Sequence, residues 1–302
     1  MGSFAEELDE IHRRLGWTEV ETEELEELWG GHGAVVSLRN GTKSSKSTKS
    51  SKSPGATKSE SFVAKIIAVP RGDDVGSRRK AASYVNEMTF YETMSQRLID
   101  AGVAVPRCRF TFTLRTSIVL VLEDLRRDWD LRDNLLSFDK AKIALDWLAK
   151  FHALFLGDEK GANGIATNGI ATKGTYWYLE TRPDELRKLE RIRQPSYCKR
   201  LARAARDIDD VLELNACTVL HGDFKCSNIA YKGNTCCCYD FQYCGRGAPM
   251  KDVVNLLVGS LASFEDQRLV SFYCDRFHHY AGDGRPSWLS RCSVPDVRTL
   301  PL

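Results

Sequence analysis

Long apolar runs are missing from this chain. The longest, Ile118–Leu122, spans five residues, against the ~20 that cross a bilayer, so no membrane span is expected. A charge imbalance is missing too. Across 302 residues, 43 Lys+Arg against 41 Asp+Glu leave +2, which argues for neither a nucleic-acid binder nor an acidic tail protein. The opening Met1-Gly2-Ser3-Phe4-Ala5-Glu6-Glu7 lacks the apolar stretch of a signal peptide. Glu6 stands where a myristoylation motif needs Ser or Thr, and a cytoplasmic protein is expected. The ten cysteines have no C-x-x-C or H-x-x-x-H partners at zinc-finger spacing. The run Cys236-Cys237-Cys238 therefore reads as small apolar residues of a buried strand.

What is present fits a soluble globular chain: 42% apolar and 28% charged residues. Its length suggests about two domains. Residues 6–27 hold ten acids and two basic residues, with Leu8, Ile11 and Leu15 at helical spacing. They predict an amphipathic helix and then an acidic segment, so residues 1–29 read as an N-terminal acidic helical segment. Residues 42–59 are Lys, Ser and Thr with almost nothing else, an insert with no side chain able to seed a core. Its five lysines lack the interleaved aromatics of a nucleic-acid arm. The insert separates two β-branched runs, Ala34–Leu38 and Phe62–Val69, which read as strands. A helix over about Ser77–Ile99 follows, with Tyr84, Met88, Tyr91, Ser95 and Leu98 on one face. Strands near Arg107–Leu114 and Ser117–Glu123 complete an antiparallel sheet with one packed helix, an α+β pattern over residues 30–125.

Residues 126–302 read as mostly helical. Ser137 caps a helix bearing Ile143, Trp147, Phe151 and Leu154. The Asn163–Thr167 pentapeptide is repeated at once as Asn168–Thr172, a glycine-rich loop. Along Arg182–Arg206 and just beyond, Leu186, Leu189, Leu201, Ala205 and Ile208 are expected as a buried stripe. A short strand, Thr218–Leu220, then leads into the chemically informative stretch.

That stretch is His221-Gly222-Asp223-Phe224-Lys225-Cys226-Ser227-Asn228, followed by a hairpin turn at Gly233-Asn234 and by Asp240-Phe241-Gln242. A hairpin brings its two ends side by side, so Asn228 and Asp240 are expected close together, with Asp223 in the same loop. Hard oxygen donors without His or Cys suit Mg²⁺ and not zinc, and Mg²⁺ held this way completes its shell with substrate phosphates. Asp223 is left to accept a hydroxyl proton or orient the nucleophile. Lys65 sits mid-strand, where an unpaired ammonium is expensive. Glu87, flanked by Tyr84 and Tyr91 on the next helix, is its candidate partner.

The order strand-Lys65, helix-Glu87, Val121-Leu122-Glu123-Asp124-Leu125, H-G-D-x-x-x-x-N and Asp240 is the part order of kinase-like phosphotransferases. Over about residues 30–282 the sequence resembles the choline-kinase-like and aminoglycoside-phosphotransferase-like family, and within it the ecdysteroid-kinase-like branch. His221–Lys225 matches the family's H-G-D pattern, Asp240-Phe241-Gln242 its D-[FW]-Q, Asn86–Tyr91 its E-x-x-F-Y helix, and Leu148–Ala153 a later helix. The resemblance implies a bilobal protein-kinase-like fold and an ATP- and Mg²⁺-dependent transfer to a small-molecule alcohol. It implies Asp223 as catalytic base or orienting carboxylate, with Lys225 at the γ-phosphate. Asn228 and Asp240 would hold the metal, Lys65 the phosphates, and Glu87 would position Lys65. Gly30, Gly31 and Gly33 would form the turn over the phosphates, and the backbone of Glu123–Leu125 would meet adenine. Asp252 would brace the catalytic loop as a helix N-cap, and His221 would orient that loop. His152, His278 and His279 read as packing or surface residues. Gly174–Arg182 is expected near the acceptor.

Two rivals are weighed. A protein kinase seats its peptide on a long activation segment, but only seven residues separate Asp240 from Ala248, and Met250 replaces the Glu of A-P-E. A catalytically inactive nucleotide-binding scaffold would not need the base and metal residues present here. It draws support from His32 interrupting the glycine turn, and from the 50 residues after Asp252, fewer than the resemblance implies for the helical C-terminal region.

Overall fold

A computed structural model describes residues 4–28, 31–41, 60–70, 72–73, 75–131, 135–157, 170–175, 178–191, 196–214, 218–261 and 267–282. The expectations for the 42–59 insert, Gly30, Tyr176, Trp177, most of the repeated pentapeptides and the last 20 residues lie outside them. The chain divides into two compact units, one of residues 1–95 with 106–128, the other of 96–105 with 129–302.

The first unit is a five-stranded antiparallel sheet in the order β1 (Val20–Glu27), β2 (Gly33–Asn40), β3 (Ser61–Ala68), β5 (Ser117–Glu123), β4 (Cys108–Leu114). Successive side chains alternate between its faces. Val36, Leu38, Ala64, Ile66, Val119 and Val121 form one buried layer under helix α1 (Ala5–Leu15), which contributes Ile11. Gly16, at φ 66°, ends α1 in the left-handed conformation, its N–H donating to the His12 carbonyl. Lys65 and Ile67 alternate onto the other face, on the side of helix α2 (Val75–Thr93).

Two expectations change here. Residues 20–27 are an edge strand of the sheet rather than part of an acidic helical segment. Their glutamates hid the strand pattern: Val20, Thr22 and Leu25 are half-buried while Glu21, Glu23, Glu24, Glu26 and Glu27 are exposed. Charge along an exposed edge also discourages pairing with foreign strands. The predicted long helix is broken at Met94 into α2 and α3 (Ser95–Asp100).

In the second unit, α4 (Phe138–Leu154) starts at Ser137, whose hydroxyl accepts from Lys140 N–H. Its apolar face stacks Trp147 on Phe151 and on Phe224, at 5.1 and 5.7 Å between centroids. Helices α5 (Pro183–Arg191) and α6 (Ser196–Leu214) precede the short strand β6 (Thr218–Leu220). The hairpin β7 (Ile229–Lys232) and β8 (Thr235–Cys238) follows, with Gly233 at φ 57° in its two-residue turn. Strand β9 (Gly245–Gly247) pairs with β6, and α7 (Met250–Ser260) and α8 (Gln267–Ala281) close the unit. Cys236, Cys237 and Cys238 lie buried on β8, and burial pushes the Cys238 thiol well above its ordinary range. No helix among the described residues is long and apolar enough to cross a membrane.

Candidate active site

In the first unit, the central strand β3 carries Lys65 opposite Val35 of β2 and Leu120 of β5. An ammonium in such apolar company needs an anion. Glu87 of α2 supplies it: Nζ donates to Oε2 at 2.7 Å, with Lys65 8% and Glu87 1% exposed. The end of β1 and the start of β2 are tied together by backbone hydrogen bonds. Gly31 sits at φ 72°, its N–H donating to the Leu28 carbonyl at 3.0 Å, and Leu28 N–H donates to the Gly33 carbonyl at 2.7 Å. Gly33 has no room for a side chain, because a Cβ would lie 2.1 Å from the Ile66 carbonyl oxygen. At the far end of β5, Glu123 exchanges hydrogen bonds with Arg107. Its backbone N–H donates to the Arg107 carbonyl at 2.8 Å and its Oε2 accepts from Arg107 N–H at 3.2 Å. Asp124 caps the following single helical turn through Arg126 N–H, and Leu125 is buried there.

In the second unit, the loop after β6 is held by a buried carboxylate. Asp252 accepts from the backbone N–H of His221 at 2.7 Å and of Gly222 at 3.0 Å. Asp252 therefore braces this loop, but from inside the first turn of α7, where Pro249 holds the capping position. Gly222 adopts φ 85°, and a Cβ there would fall 1.9 Å from the Tyr243 carbonyl oxygen. His221 is wholly buried against Phe241, with ring centroids 4.5 Å apart. Its Nε2 faces the Tyr239 carbonyl at 3.0 Å, so it donates, while Nδ1 accepts from Asp223 N–H at 3.4 Å. Both contacts fit a neutral imidazole, and burial holds its pKa below the ordinary value.

Asp223 follows in the same loop and is partly buried. Its Oδ2 accepts from Lys225 Nζ at 2.7 Å and from Asn228 Nδ2 at 3.2 Å. Asn228 Nδ2 also donates to the Asp223 carbonyl at 2.9 Å. Asn228 closes a single helical turn, and its carbonyl accepts from Tyr239 N–H at 3.1 Å, which ties the two ends of the β7–β8 hairpin together. Asp240 comes next, in a left-handed conformation at φ 68°, its Oδ1 accepting from Gln242 Nε2 at 2.6 Å. Asp252, Asp223 and Asp240 each act electrostatically on the His221 ring, opposing the effect of burial. Among the described residues, no group of three or more His, Cys, Asp or Glu is arranged to hold a metal ion.

Sequence reasoning missed the deeper support. His152, read as a packing or surface residue, is fully buried and bridges Asp252 Oδ2 at 3.2 Å to the Tyr273 hydroxyl at 2.7 Å. Ser260 Oγ accepts from Cys226 N–H at 2.8 Å. His152 lies in the quoted Leu148–Ala153 segment, but its partner is 100 residues away in sequence, beyond any spacing rule.

A family model described as the phosphotransferase enzyme family (APH) matches residues 56–289. The chain belongs to that family. The match is at the level of the family and does not single out the ecdysteroid-kinase-like branch. Among curated proteins none matches the chain. Solved structures similar to this phosphotransferase include APH(2")-IIia, in complex with GDP and kanamycin, at a TM-score of 0.55 and 13% identity over 95% of this chain and 86% of that one. The macrolide 2'-phosphotransferase MphH from Brachybacterium faecium aligns with a TM-score of 0.53 and 15% identity, covering 94% and 86%. The amicoumacin kinase hAmiN, in complex with AMP-PNP, Ca²⁺ and its ligand, gives 0.51 and 14%, covering 93% and 78%. At such identities the likeness is one of fold: a five-stranded antiparallel sheet followed by a largely helical unit, in the protein-kinase-like manner.

Proposed function

We propose that this phosphotransferase moves the γ-phosphate of ATP, with Mg²⁺, to a hydroxyl of a small organic molecule. The observation that carries the reading is the His221–Asn228 loop. Its backbone is clamped by Asp252, and its one carboxylate, Asp223, is gripped by Lys225 and Asn228. A carboxylate so held is suited to receive or orient a hydroxyl proton. The neighbours solved with AMP-PNP and Ca²⁺ and with GDP support nucleotide and divalent-cation use.

The donor set fits Mg²⁺. Asn228 turns its Nδ2 toward Asp223, which leaves its Oδ1 as the acceptor end, and Asp240 adds a carboxylate. These are the hard oxygens that magnesium takes. Asn228 and Asp240 would hold the ion, which when bound supplies charge neutralisation on the phosphates. Lys65, fixed by Glu87, would bind the phosphates beside the Gly31–Gly33 turn. The Glu123 N–H donates to the Arg107 carbonyl, so the backbone of Leu125 would be the donor that meets adenine. Lys225, paired with Asp223 at 2.7 Å, would meet the transferring phosphoryl group.

The test is Mg²⁺-dependent ADP release over a library of metabolite alcohols. Asp223→Asn is expected to lower turnover by about 10²–10⁴-fold while ATP-analogue binding persists. Unchanged turnover would remove Asp223 from the chemistry. Transfer to generic peptides and to no small alcohol would favour a protein kinase.

A further inference from the structure

Leu186, Leu189, Leu201, Ala205 and Ile208 have the spacing of a buried stripe, yet in the fold they are only half-buried, and Ile208 is 44% exposed. Most of them line an open groove of about 530 Å³ bordered by α5, α6, the turn at Leu179 and the first residues of α7. Seven of its eleven lining residues are apolar. Its size and lining match those of small-molecule sites, which run to roughly 300–1,000 Å³.

The charges on this wall decide what it accepts. Arg182 and Lys251 are matched by Glu185 and Asp209, so the lining carries no net charge. Arg182 lies 3.4 Å from Glu185, and Lys251 lies 3.2 Å from Glu213 of α6. A polycation such as an aminated sugar needs an excess of carboxylates to replace its hydration, and the described lining sets two carboxylates against two cations. A quaternary ammonium needs an aromatic cage. The one aromatic side chain described on this wall is Tyr178, and its ring already faces the Lys173 ammonium at 5.4 Å.

The groove is tied to the His221–Asn228 loop by backbone. Gly174 N–H donates to the Arg246 carbonyl at 2.6 Å and Thr175 N–H to the Tyr243 carbonyl at 2.9 Å. A Cβ on Gly222 would meet that same Tyr243 oxygen and, at 2.9 Å, the Thr175 nitrogen. From Thr175 to Tyr178 is at most about 10 Å of chain. On the other side, Lys251 directly precedes Asp252, the residue that clamps His221 and Gly222. The wall therefore ends one residue from the carboxylate that clamps the loop bearing Asp223.

We propose that the α5–α6 groove seats the carbon body of the acceptor, and that this acceptor is an uncharged, largely apolar alcohol. The inference rests on the phosphotransferase reading above and narrows its substrate class. In the reaction the alcohol oxygen bonds to the γ-phosphorus as the bond from that phosphorus to the ADP oxygen breaks. The hydroxyl proton passes to Asp223, and ADP leaves.

The probes are farnesol and geranylgeraniol as neutral apolar alcohols, and kanamycin and choline as cationic ones, each assayed for Mg²⁺-dependent ADP release and for the phosphorylated product. Farnesol or geranylgeraniol is expected to be phosphorylated, with kcat/KM at least about tenfold above either cation. Ile208→Glu, a change at an exposed position, should raise the KM for the apolar alcohol by about tenfold or more, with kcat moving far less. Ala205→Phe, which fills the groove without adding charge, should do the same, and carries the test if the first variant misfolds. Val254→Glu, at a residue 50% exposed on α7 and outside the groove, should change neither constant. Preference for kanamycin or choline, or an unmoved KM in both groove variants, overturns the inference. Slow ADP release to water that Asp223→Asn abolishes, with no apolar alcohol phosphorylated, sinks the inference alone. ADP release indifferent to Asp223→Asn sinks the phosphotransferase reading, and the inference with it.

Discussion

The Lys65–Glu87 pair allows stability and function to be pulled apart. The two groups meet at 2.7 Å in the interior of the first unit, 8% and 1% exposed. Glu87→Leu would leave the ammonium in a central strand between Val35 and Leu120. Breaking a buried pair from one side costs about 3–5 kcal/mol, which for a chain of this size is a fall in melting temperature of roughly 6–20 °C. Lys65→Met strands the carboxylate and should do similar damage. The double variant Lys65→Met/Glu87→Leu removes both charges, so its loss should be smaller than that of either single change, within about 2 kcal/mol of the parent. Nucleotide binding should behave differently. All three variants lack the fixed cation, so all three should lose the rise in melting temperature that AMP-PNP with Mg²⁺ gives the parent. The assay is thermal unfolding followed by circular dichroism, with and without nucleotide. Strictly additive losses in the double variant would show that the pair is not electrostatically coupled. An undiminished nucleotide shift in Lys65→Met would refute its role at the phosphates.

Gly222→Ala should lower kcat by about 10²-fold, the usual effect of displacing a catalytic group by ~1 Å, because a Cβ 1.9 Å from the Tyr243 carbonyl oxygen must push the loop away; kcat within twofold of the parent would contradict this. Burial holds the His221 pKa below its ordinary value of about 6.5. The unfolded chain therefore takes up a proton that the native state refuses as pH falls below that value. Its contribution is intact above about pH 6.5 and lost on acidification, so urea midpoints should drop between about pH 7.5 and 5.5, and His221→Gln should flatten the slope. A midpoint rising over that interval would show the opposite sign. Asp240→Ala should abolish the Mg²⁺-dependent part of the AMP-PNP melting shift, and its survival would take Asp240 out of the metal site.

The elements that carry chemistry were legible in the chain because each is local. A lysine inside β-branched residues demands a partner, and a glutamate between two inward tyrosines on the next helix is a good candidate. The H-G-D-x-x-x-x-N spacing and the Gly233 turn place Asn228 beside Tyr239 by hairpin geometry alone. The α+β pattern followed from four strands and a helix with clear periodicity. The fifth strand, β1, escaped because edge strands tolerate charge on their exposed positions and so lose the alternation that marks a half-buried strand.

Other features belong to the tertiary structure. Asp252 and His152 are 100 residues apart, and only packing of α4 against the start of α7 lets one buried carboxylate serve both the imidazole and the backbone of the His221–Asn228 loop. The stripe on α5 and α6 shows the same division. Apolar residues at helical spacing say that a face prefers to leave water, but not whether protein or ligand will cover it. The packing of the two helices leaves Leu186, Leu189 and Ile208 lining an open groove of about 530 Å³.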